Sequence, residues 1–80
     1  MEVKIINEKE AEKARVKSLS QITHEILMQK LEKYAVNMKV NQNVNIFDPE
    51  PCSYYETLVF TLTHKNEHSA TFHFEGVTIE

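Results

Sequence analysis

The chain has 80 residues, is 41% hydrophobic and 26% charged, and carries a formal net charge of −3 at pH 7. That length predicts a single domain, 1–80, close to the smallest size at which one core suffices, with a stability of about 4–12 kcal/mol. Its only glycine, Gly76, excludes glycine-rich phosphate loops and the strained turn that presents a serine nucleophile, and its only cysteine, Cys52, excludes an internal disulfide.

A small unstapled domain points to a reducing, cytoplasmic setting. The opening Met-Glu-Val-Lys-Ile-Ile-Asn has no basic lead and no apolar run of signal-peptide length, and no window is apolar for long enough to cross a membrane. Charge is unevenly placed. Residues 1–39 hold eight basic and six acidic side chains, a net of +2, whereas 40–80 hold one basic residue, Lys65, against six acidic ones, a net of −5. Such asymmetry suits either a partner surface or a lysine-rich helix that happens to precede an acidic sheet.

In chain order, Val3 and Ile5 alternate within Glu2 to Ile6 and predict a short strand. Asn7, three residues before Glu10, resembles the N-cap of a capping box. From Glu8 to about Val36 there is no glycine or proline, which predicts one long helix. Val16, Leu19, Ile22, Thr23, Ile26, Leu27, Leu31 and Tyr34 fall on one half of that helix as a face for a sheet, with Lys30 snorkelling at its margin. Between residues 8 and 18 only Ala11, Ala14 and Val16 are apolar, and Glu10–Lys13 and Glu12–Arg15 are i,i+3 pairs, so this part can be helical while solvated. Ser18-Leu19-Ser20-Gln21 could also cap a separate second helix, and Asn37 is a candidate left-handed helix end.

Met38 to Phe47 alternates through Val40, Val44 and Ile46 and predicts a strand, ended by Asp48-Pro49-Glu50-Pro51 because proline removes ladder donors. Tyr55 to His64 is the strongest strand, with Leu58, Phe60 and Leu62 inward and Thr57, Val59, Thr61 and Thr63 outward. Lys65-Asn66-Glu67 predicts the turn. Ser69 to Phe74 returns with Ala70, Phe72 and Phe74 inward, and Val77 to Glu80 either continues past a bulge at Gly76 or forms a short last strand. The expected fold is therefore α+β, with one long helix packed on a small antiparallel sheet in β-α-β-β-β order. It is similar in shape to cystatin-like small inhibitor folds, although their characteristic motifs are absent.

Little of this carries catalytic chemistry. His24-Glu25 starts a zinc-protease helix pattern, but the second histidine position holds Met28. Leu62 and Ala70 share a face, so an even-sum register would set His64 opposite His68 at the hairpin tip and turn His73 to the other face, which disfavours a three-histidine metal site. Cys52 lacks any local base, and Glu8, Glu10 and Glu12 suit the helix dipole better than paired-carboxylate catalysis. Lys9, Lys13, Arg15 and Lys17 alternate with glutamates, which disfavours nucleic acid as a partner.

The segment 47–56 is the most suggestive. Phe47, Tyr54 and Tyr55 supply aromatic anchors, Asp48, Glu50 and Glu56 an acidic rim, and two prolines lower the entropy lost on ordering. The competing reading is that Phe47 and a tyrosine cap the open end of the core. The expectation is a non-catalytic protein-binding protein, an inhibitor, adaptor or regulator with no cofactor and no metal, whose partner presents a basic surface. The alternatives are a self-associating subunit that forms a homodimer through a sheet edge, and, with less support, a nucleic-acid-binding regulator, a small enzyme or a metal binder. Eight lysines against one arginine, with abundant Asn, Ile and Glu, resembles coding from an AT-rich bacterium or its phage, which makes an accessory or counter-defence protein a special case.

Overall fold

A computed structural model describes residues 1–18, 22–47 and 56–79. Its elements are β1 (Glu2–Ile5), α1 (Glu8–Ser18), α2 (His24–Ala35), β2 (Asn43–Ile46), β3 (Glu56–Lys65) and β4 (Ser69–Ile79). The strands form one sheet in the order β1-β4-β3-β2. β2 and β4 run antiparallel to β3, but β1 runs parallel to β4.

Two corrections follow. The expected single helix is two helices, and the expected antiparallel sheet is mixed. The break comes from a cap that propensity alone does not reveal. Thr23 is extended (φ −77°, ψ 166°), its hydroxyl accepts from the Ile26 N–H at 3.2 Å, and its carbonyl accepts from the Leu27 N–H at 3.0 Å. The second helix considered from the sequence does exist, but its cap is Thr23, which follows the Ser18-Leu19-Ser20-Gln21 stretch, rather than a residue within it. The mixed sheet arises because the two helices carry the chain from β1 at one edge to β2 at the other, so that the β3–β4 hairpin returns β4 alongside β1. Alternation reports which face a residue takes, not the direction of its neighbour. These differences also remove the likeness in shape to cystatin-like folds.

Core faces follow the alternation. Ile5, Ile46, Leu58, Phe60, Leu62, Ala70, Phe72 and Phe74 line one side of the sheet, under Ala11 of α1 and Leu27, Leu31 and Ala35 of α2. The Phe60 ring meets Phe72 edge-on at 6.3 Å and Phe74 at 5.4 Å. The helical stripe is narrower than expected. Val16, Ile26 and Tyr34 are exposed, and Thr23 is used as a cap. Conversely α1 is less solvated than expected, since Ala11 is fully buried and Ala14 packs against the core.

Smaller departures have local causes. β2 starts at Asn43 instead of Met38, because Lys39 to Gln42 form a tight turn with the positive φ (77°) at Asn41 and not at Asn37. The β3–β4 register shifts between Leu62 and His64, so His64 lies opposite Thr71 and Lys65 opposite Ala70. That bulge makes the register sum odd. The tip becomes a two-residue turn, Glu67-His68, in which the Asn66 side-chain oxygen accepts from the N–H groups of His68 (2.8 Å) and Ser69 (2.9 Å). His64 and His68 are consequently not paired. A second shift between Val59 and Phe60 leaves Glu75 as the extra residue beside Gly76, which takes φ +146°, and β4 continues to Ile79 as one strand. Thr57 was expected to face outward, but it is fully buried, and among the described residues its hydroxyl has no hydrogen-bond partner.

Candidate functional site

β2 and β3 pair in antiparallel register from Asn43–Thr61 to Ile46–Leu58, so Phe47 and Glu56 stand at the same end of the sheet. β2 is an edge strand: among the described residues its only strand partner is β3. Ile46 is buried in the core, whereas Phe47, the next residue, is 37% exposed. Asn43 and Asn45 face solvent, and the Thr61 hydroxyl donates to the Asn43 side-chain oxygen at 2.8 Å. Glu56 is half-buried at the start of β3, opposite Ile79. Asp48, Glu50, Tyr54 and Tyr55 lie outside the described residues, as does Cys52. The structure thus places two of the six predicted contact residues, Phe47 and Glu56, at one end of the sheet.

The other candidates resolve into structural roles. His24 is the first residue of α2, with Nδ1 3.1 Å from a Glu12 oxygen and Nε2 3.9 Å from Glu8. Arg15 pairs with the other Glu12 oxygen and donates to the Ile22 carbonyl at 2.5 Å. These contacts tie α1 to the start of α2. The Arg15 guanidinium, chiefly through its hydrogen bond, holds the Glu12 carboxyl below the usual carboxylate range, and His24 lowers it further. On the sheet face away from the helices, His73 lies opposite Thr61, with Nδ1 2.7 Å from Glu75. The hydrogen bond from His73 is the main reason that the Glu75 carboxyl is likewise lowered. No group of three or more His, Cys, Asp or Glu among the described residues could hold a metal ion.

Two features escaped sequence reasoning. Lys65, notable before only as an isolated charge, donates to the carbonyls of Val36 and Met38, both at 3.0 Å, and so closes the C-terminal end of α2. Lys9, Lys13 and Lys17 share one stripe of α1 and take part in no ion pair among the described residues, while the neighbouring Arg15 is fully engaged. Their i,i+4 spacing was the available signal. No helix is long and apolar enough to cross a membrane among the described residues. Comparison with protein-family models, with curated proteins and with solved structures found no match.

Proposed function

We propose that the chain is a small non-catalytic protein-binding protein, an inhibitor, adaptor or regulator of a larger partner, working in the cytoplasm. A bacterial or phage accessory role is its special case. The supporting observation is Phe47: a large aromatic side chain, 37% exposed, directly follows the last residue of an edge strand and opens a segment rich in tyrosine, proline and carboxylates. Aromatic anchors surrounded by charge are the usual composition of an interface centre and its rim. Asp48, Glu50 and Glu56 give this surface a negative sign, so its partner presents a basic surface and association slows as salt rises.

A photo-reactive phenylalanine analogue at position 47, introduced into the full chain in its source cells, tests this reading. One foreign protein should be captured stoichiometrically, and capture should fall when Asp48→Asn, Glu50→Gln and Glu56→Gln are combined. Adducts formed only with another copy of this chain would instead establish the self-associating subunit, for which β1 and β2, the outermost strands among the described residues, are the route. No adduct at position 47 would overturn both readings.

A further inference from the structure

We infer that the lysine stripe of α1 and the outer edge of β4 together form a second docking surface, for an acidic, extended peptide segment of a partner protein. The ladder between β1 and β4 ends early. Its last backbone link runs from the Ile6 N–H to the Phe72 carbonyl, and beyond it the Asn7 side chain occupies both backbone groups of Phe74. From Glu75 to Ile79 the outer edge of β4 has no strand beside it among the described residues. Val77, opposite Leu58 and so on the helix-bearing face, is 41% exposed there. It lines an open groove of about 440 Å³ with Ala14, Lys13, Lys17, Glu10 and Glu56.

Charge selects the occupant. Like charges at i,i+4 destabilise a helix, and no ion pair among the described residues offsets the Lys9–Lys13–Lys17 run. Successive lysines rise about 6 Å along the helix, and alternate residues of a strand lie about 6.8 Å apart, so carboxylates at every second position of an added strand are commensurate with them. A second copy of this chain, paired edge to edge about a two-fold axis, would bring two lysine stripes together and be repelled. Nucleic acid is disfavoured because it has no backbone N–H and C=O groups to pair with the outer edge of β4. A short acidic strand added to an exposed sheet edge meets both the backbone and the charge requirement.

The test is an amide-resolved NMR titration of the full chain with acetyl-Glu-Val-Glu-Val-Glu-amide, against the Lys-Val counterpart and a single-stranded DNA oligonucleotide. The acidic peptide should shift amides 13–17 and 75–79 saturably, and raising salt from about 50 mM to about 300 mM should weaken it severalfold. Combining Lys13→Glu with Lys17→Glu should weaken it about tenfold or more. Lys13→Gln with Lys17→Gln serves if that variant does not fold. No saturable shift by about 1 mM peptide, equal binding of the basic peptide, tighter binding of the oligonucleotide, or shifts confined to β2 and Phe47 would each overturn the proposal.

Discussion

The Asn7 carboxamide binds both backbone groups of Phe74: its Oδ1 accepts from the Phe74 N–H at 2.8 Å, and its Nδ2 donates to the Phe74 carbonyl at 2.9 Å. A side chain thereby supplies the next rung of the β1–β4 ladder after the backbone has turned into α1. The Asn7 carbonyl meanwhile accepts from the Ala11 N–H at 3.2 Å, so this residue starts the helix with its main chain and extends the sheet with its side chain. The expected capping box survives only as a contact between Nδ2 and Glu10 at 3.2 Å.

Asn7→Ala should therefore cost about 1–3 kcal/mol, because it strands two partly buried backbone groups. Asn7→Asp should be at least as damaging, since a carboxylate oxygen would replace the donor facing the Phe74 carbonyl. Denaturant unfolding gives the energies, and the Phe74 amide should exchange faster in both variants. A solvated N-cap would instead tolerate Asp as well as Asn.

Gly76 tests backbone against space. A Cβ built there meets nothing within 4 Å, yet its φ of +146° is one that side chains rarely adopt. Gly76→Ala should lose about 1–3 kcal/mol from conformation alone. Thermal unfolding measures the loss, and a neutral result would mean that the bulge relaxes without strain.

Thr57 should behave in the opposite sense. Its hydroxyl is fully buried without a hydrogen-bond partner among the described residues, which is a standing desolvation cost. Thr57→Val keeps the branched shape and removes the polar atom, so stability should rise by about 1 kcal/mol. A loss of similar size would show that the oxygen is satisfied in solution.

What the residues disclose before folding divides along a physical line. Period-two alternation assigns Leu58, Phe60, Leu62, Phe72 and Phe74 to the core side, because burial of one face is a local pattern. The odd register at the hairpin tip comes from a bulge near Thr63, where one extra residue defeats parity. The helix break rests on Thr23 as a cap and on Arg15 reaching the Ile22 carbonyl, a contact between residues that only the fold brings together. The direction of β1 is set by a partner about 70 residues away in the chain, which no short window contains. Of the candidate contact residues, composition shows the aromatic and acidic character, while the placement of Phe47 and Glu56 at one end of the sheet needs the β2–β3 register.

The clamp between α1 and α2 should show in the pH dependence of stability. Glu12 accepts from Arg15 and faces His24, with Glu8 as the other acidic group on that histidine, and its carboxyl is held below the ordinary range chiefly by Arg15. A lowered carboxylate stabilises the fold fully above its unfolded pKa, about 4.3, and the contribution disappears as pH falls through the lower folded value. Glu12 is more than a third exposed, so screening keeps the ionic part small. Glu12→Gln should lower stability modestly at neutral pH, and the gap from the parent should close below about pH 4.3. Arg15→Met should cost more, about 1–2 kcal/mol, because it also abandons the Ile22 carbonyl. That second loss does not titrate with Glu12, so the Arg15→Met deficit should persist in part at acid pH. Urea unfolding at pH 7, 4 and 3 separates the two curves, and a Glu12→Gln deficit unchanged at the lowest pH would show that the clamp is not ionic.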